Sequence, residues 1–150
     1  MSETLYLTPT VRLKLHATCM VQRPFEACGF IVADKAQPDL GVRVIPILNA
    51  AENPRCQFKM AEGEQVRATH WVDERGLILL AVYHSHVDSP ALLSDRDLTE
   101  PNDLDPLQVV LSLKDVPIDV RAYRITQPFI GVRGFERVPI EIIDPGAAGG

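Results

Sequence analysis

The sequence predicts an α/β (α+β) fold, a mixed β-sheet flanked by helices within one domain. Three observations carry this expectation. Apolar segments of strand length are interspersed with two stretches of helical periodicity, and they lack the strict alternation of a doubly wound sheet. The segment at 77–86, LILLAVYHSH, is apolar on both faces, as a central strand covered on both sides must be. At 150 residues the chain is long enough for one sizeable core and too short for two ordinary domains.

Taken in order, TLYL is a short strand, and Thr8 with Pro9 then reads as an N-cap followed by proline at the first helical position. Val11, Leu15 and Cys19 recur at helical spacing until Arg23-Pro24 breaks the pattern. ACGFIVAD and VRVIPIL are the next strands, and Pro46 marks the second as an edge strand or a bulge. NAAENPRCQFKM reads as a loop leading into a short strand. MAEGEQVRATHWVDERG is a helix, weakened by Gly63 and ended by Gly76.

In LILLAVYHSH, alternation puts Ile78, Leu80 and Val82 on one face, with Leu79, Ala81 and Tyr83 on the other. Ser94 opens a short helix, and LQVVLSL, DVRAYRI and GVRGFERVPIEI supply three more strands. The expected organisation is a single domain over residues 1–143 and a small-residue, flexible tail at 144–150.

Composition narrows the function classes. Apolar residues make up 46% and charged residues 23%, the balance of a soluble globular protein. A net charge of -5, with Arg and Lys scattered along the chain, argues against a partner bound through its phosphate backbone. No apolar run is long enough to span a bilayer, and the N-terminus lacks the basic start and apolar run of a signal peptide; a cytoplasmic location is expected. Cys19, Cys28 and Cys56 form no CxxC pair, which excludes a cysteine-rich zinc ribbon. No Gly-rich phosphate loop is present, and a cytidine-deaminase reading lacks its H-x-E and P-C-x-x-C.

Chemistry concentrates in the stretch 83–97, YHSHVDSPALLSDRD. On a strand, a spacing of two puts His84 and His86 on one face, aimed at one spot. A catalytic zinc site takes three protein ligands and leaves a fourth position open, so a carboxylate must return from elsewhere; Asp97 is the candidate. Ser94 and Asp97 also match a capping box with a short acid, and a His-x-His pair alone is compatible with two hydrogen-bonded residues at a strand end. With this chain's 4 His, 5 Ser and 11 Asp, the full H-x-H-x7-S-x2-D pattern arises by chance on the order of a few times in ten thousand such chains.

This pattern resembles the JAMM/MPN+ (JAB1/MPN/Mov34) zinc metalloprotease family in its compact prokaryotic type. That family also carries an upstream glutamate in a P-x-E-x-C-G context, matched here by PFEACG with Glu26, and an Asn-x-x-x-x-P…F segment, matched by NAAENPRCQFKM. The resemblance covers essentially the whole chain, in the expected order. It departs at Val87, where the family commonly has proline directly after the second histidine. The resemblance implies an MPN/cytidine-deaminase-like architecture, Zn²⁺ held by His84, His86 and Asp97, and catalysis by Glu26 and Ser94. Glu26 is the expected general base towards water and then acid towards the leaving amine; Ser94 is the expected donor to the oxyanion. The implied substrate is a ubiquitin-like or sulfur-carrier protein, hydrolysed after its C-terminal Gly-Gly. The alternative is a catalytically silent MPN scaffold that binds a ubiquitin-like partner; the complete ligand set and Glu26 speak against it.

Overall fold

The computed structural model describes residues 3–94, 97 and 106–144. Its elements follow the order β1 (Leu5–Leu7), α1 (Pro9–Gln22), β2 (Cys28–Ala33), β3 (Leu40–Ile47), α2 (Glu62–Glu74), β4 (Ile78–His86), β5 (Leu107–Ser112), β6 (Asp119–Phe129), β7 (Val132–Val138) and β8 (Ile140–Ile142). The eight strands form one mixed sheet, ordered β7-β6-β5-β4-β2-β3-β1-β8. β4 pairs parallel with β5 and antiparallel with β2, which makes it the central strand that its two apolar faces predict.

α1 starts and α2 ends where terminal groups are satisfied, whereas α2 begins after Ala61 with no side-chain cap. The Thr8 hydroxyl accepts the Val11 N–H at 3.1 Å, and Pro9 occupies the first turn, where a missing N–H removes no helical bond. α2 ends in a Schellman arrangement: Leu77 N–H reaches Val72 O, Gly76 N–H reaches Asp73 O, and Gly76 takes φ 63°. α1 buries Val11, Leu15 and Cys19 against Leu5, Leu7, Ile31 and Tyr83, whereas α2 buries Ala68 and Val72 against Cys28, Phe30, Val32 and Ile47. Neighbouring residues of β2 thus feed two different cores, one beneath each helix, as the two-residue strand period requires. Between them, Gly29 lies so close to the Ile45 carbonyl and the Tyr83 ring that a Cβ there would meet backbone at 2.3 Å.

Four details differ from the sequence reading. Pairing between β2 and β4 slips at Ile31/Val32, and this bulge skips Leu80. Leu80 therefore packs with Ala81 and Tyr83, whereas Leu79 shares the opposite cluster with Val82, so strict alternation fails across the bulge. β3 is an edge strand only in part: β1 pairs with it at Leu40 and Gly41, short of Pro46. The short strand expected before α2 reduces to a single bridge between Asn49 and Met60. GVRGFERVPIEI is two strands divided at Pro139; β7 pairs with β6 and β8 with β1, at opposite ends of the strand order. Because one residue joins them, the sheet must curl until its ends meet, and Leu5 N–H donates to Pro139 O at 2.9 Å. The helix expected at Ser94 is seen only at Asp97, and most of the expected 144–150 tail lies outside the described residues.

Candidate metal centre

The bulge in β4 decides where its histidines point. Beyond it, Val82, His84 and His86 share one face and Ala81, Tyr83 and Ser85 the other. The chain then turns through residues 87–94, where three consecutive carbonyls are held: Ser89 O by the Ser112 hydroxyl, Pro90 O by His86 Nδ1, and Ala91 O by the Tyr123 hydroxyl. Ala91 and Leu93 are buried with Val110, Tyr123 and Ile125. This anchored loop brings Ser94 and Asp97 back over the end of β4. Val87, at the position where proline was expected, is buried, and Pro90 supplies the carbonyl that holds His86.

His84 Nε2 lies 3.2 Å from His86 Nε2 and 3.4 Å from Asp97 Oδ2; His86 Nε2 lies 3.7 Å from the same oxygen. Among the described residues, these form a group of three donors close enough to share one cation. Ligands about 2.0–2.2 Å from a tetrahedral ion stand roughly 3.3–3.6 Å apart, so the donor set fits zinc in both spacing and chemistry. His86 donates Nδ1–H to Pro90 O at 2.8 Å, which leaves the Nε2 lone pair directed at the centre. His84 has no such partner among the described residues. Its ring is stacked on Phe58 instead, with centroids 4.3 Å apart and planes 18° from parallel.

Burial and mutual contact set the charges. Burial pushes His84 below the ordinary imidazole value, towards the neutral form a metal ligand needs. Burial also opposes the charged form of His86, but hydrogen bonding to Asp97 and Pro90 and the nearby Glu26 charge outweigh it and raise this group. Burial alone would raise the Asp97 carboxyl, yet its hydrogen bonds to His84 and His86 hold it well below the usual carboxylate range.

A groove of about 990 Å³ opens onto this centre, and its walls include Glu26, His86, Ser94 and Asp97; His84 sits just behind, 1% exposed. Glu26 is buried at the groove wall, with its N–H donated to Pro54 O at 2.8 Å. Ser94 and Asp97 form the reciprocal capping box: Ser94 N–H donates to Asp97 Oδ2 at 2.8 Å, and Asp97 N–H to Ser94 Oγ at 3.1 Å. The cap does not exclude the other reading of this pair, since it orients the carboxylate and leaves the serine hydroxyl its own hydrogen to donate. All five residues singled out in the sequence thus meet at one end of β4.

Two residues outside the H-x-H-x7-S-x2-D stretch complete the surroundings. Phe58 braces His84, and Asn49 ties the Glu26 backbone to the 51–59 loop. Both belong to the segment NAAENPRCQFKM that matched the family's Asn-x-x-x-x-P…F pattern, a match that gave neither residue a role. Cys28 stands opposite His84 in the β2–β4 register but packs into the core beneath α2. His16 and His70 are exposed and lie outside the groove, whereas Asp88 is exposed on its wall; Asp95 is outside the described residues.

A family model for prokaryotic homologs of the JAB domain matches residues 8–126. The chain belongs to this family. Among curated relatives, a CysO-cysteine peptidase of Mycobacterium tuberculosis is 30% identical over 103 residues, covering 68% of this chain and 69% of the relative. A probable TtuB-protein conjugate cleaving protease of Thermus thermophilus is 40% identical over 58 residues, 39% of each chain. The fold is shared with a solved protein from Desulfitobacterium hafniense (TM-score 0.82, 24% identity, 94% of both chains). It is also shared with one from Salinibacter ruber (TM-score 0.68, 25% identity, 94% of this chain and 93% of that one). Among the described residues of this JAB domain, no helix is long and apolar enough to cross a membrane.

Proposed function

We propose that this JAB domain, read as a single unit over residues 1–143, is a zinc-dependent peptidase or isopeptidase. Its substrate is a ubiquitin-like, sulfur-carrier-type protein, hydrolysed at the bond after the C-terminal Gly-Gly. The observation that carries this reading is the meeting of His84, His86 and Asp97 at zinc-ligand spacing on a groove that Glu26 and Ser94 also line. The names of the Mycobacterium and Thermus relatives, a peptidase and a conjugate-cleaving protease, support the substrate class.

Bound by His84, His86 and Asp97, zinc would supply a Lewis acid and lower the pKa of a coordinated water to about 7. The remaining work falls to side chains of the groove. Glu26 takes the proton of the attacking water and delivers it to the leaving amine. The Ser94 hydroxyl donates to the carbonyl oxygen as negative charge develops there, and loss of such a donor costs about 10²–10³ in rate. A Gly-Gly tail suits the groove because residues without Cβ let an extended strand lie close to the reacting centre.

The test is mass spectrometry of a sulfur-carrier-type protein ending in Gly-Gly and extended by one cysteine, incubated with zinc-loaded protein. The expected product ends in Gly-Gly and has lost the mass of one cysteine residue. An intact conjugate after prolonged incubation with zinc-loaded protein contradicts the peptidase reading and favours the silent binding module.

A further inference from the structure

We propose that Asn49 is a positioning residue that sets two parts of the centre at once, the base Glu26 and the Phe58 ring that braces His84. The proposal rests on the peptidase reading for the role of Glu26. Asn49 follows β3, and its side-chain amide makes four backbone hydrogen bonds. Nδ2 donates to Glu26 O at 2.9 Å and to Gln57 O at 2.8 Å. Oδ1 accepts Ala51 N–H and Lys59 N–H, both at 3.0 Å. An Asn side chain has two donor hydrogens and two acceptor lone pairs, so its capacity is used in full. Turning the amide over would set its oxygen against two carbonyls and its NH₂ against two N–H groups, so only one orientation satisfies the network.

The identity of the four partners gives the amide its reach. Gln57 and Lys59 flank Phe58, and holding both fixes the backbone from which Phe58 stacks on His84. The other donor hydrogen fixes the Glu26 carbonyl, while Glu26 N–H is held by Pro54 O of the same loop. One side chain therefore registers the 51–59 loop against the glutamate on one side and against a metal-binding histidine on the other. Orienting groups beyond the ligands govern both metal affinity and the geometry of attack.

Asn49→Asp keeps the shape and the two accepted bonds but turns the donor edge into an acceptor facing two carbonyls. Zinc affinity is read by competition against a chelating dye for wild type, N49D, F58L and the N49D/F58L double variant; kcat and KM are read on the cysteine-extended carrier. N49D is expected to weaken zinc binding on the order of 10–100-fold and to lower kcat about tenfold or more at unchanged KM. If Asn49 acts on His84 through Phe58, N49D has little further effect on zinc once Phe58 is leucine. Wild-type zinc affinity and kcat in N49D would overturn the proposal, as would an undiminished zinc effect in the F58L background. Should N49D not fold, Asn49→Ala removes the donors without opposing the carbonyls and is judged by the same criteria. Failure of the wild-type protein to cleave the carrier counts against the peptidase reading alone, because the zinc cycle decides the Phe58 linkage without turnover.

Discussion

Ser85 and Ala27 exchange two hydrogen bonds: Ser85 N–H donates to Ala27 O at 3.0 Å, and Ala27 N–H donates to Ser85 Oγ at 2.8 Å. The serine between His84 and His86 thereby clamps the residue next to Glu26, and both ends of the clamp are buried. Two distant motifs of the sequence, H-x-H and P-x-E-x-C-G, are stitched together at this point.

Ser85→Ala leaves the Ala27 N–H buried without its acceptor, which costs about 1–3 kcal/mol of stability. Urea denaturation measures the loss, and amide exchange is expected to rise at Ala27 before it rises elsewhere in β2. Unchanged protection at Ala27 would refute the clamp.

The three cysteines differ in environment. Burial pushes the Cys19 and Cys28 thiols up to about 12, so both stay protonated, whereas Cys56 is exposed. A thiol reagent should label Cys56 alone in the folded protein and all three in denaturant. Rapid labelling of Cys28 in the native state would show that the core beneath α2 is open.

Asp97 makes the metal-free protein acid-sensitive in a defined window. Its folded carboxyl is held below the unfolded value of about 3.9, so between those two values the unfolded chain binds more protons. The stability it contributes is present above about pH 3.9 and is lost as the pH falls further. In EDTA, wild type is expected to lose stability more steeply below pH 4 than Asp97→Asn; parallel urea midpoints would contradict this.

Gly29→Ala tests the close approach of β3 and β4. Its Cβ would stand 2.3 Å from Ile45 O and 2.7 Å from the Tyr83 ring, and the first of these is backbone that must move. A destabilisation of about 3 kcal/mol or more is expected, against less than 1 kcal/mol for an exposed strand glycine. Thermal unfolding of the variant measures it.

Much of this centre was legible in the sequence because its parts obey local rules. A spacing of two on an apolar strand places His84 and His86 together, and the S-x-x-D box announces both a helix start and a returning carboxylate. What escaped is set by tertiary contacts. The Leu80 bulge is invisible in a segment apolar on both faces, since slipping by one residue buries an equally apolar side chain. The division at Pro139 follows from the curl of the whole sheet, and nothing local in GVRGFERVPIEI dictates it. The bracing of His84 by Phe58 depends on a loop that Asn49 ties back across the chain, a contact no periodicity encodes.

The most direct measurement pairs zinc content with cleavage of the cysteine-extended carrier in wild type and Glu26→Gln. If the centre is that of a zinc peptidase, about one zinc per chain is expected in both proteins, with cleavage reduced at least ~10²-fold in the variant. Cleavage at the wild-type rate by E26Q, or wild-type protein that takes up no zinc, would contradict it.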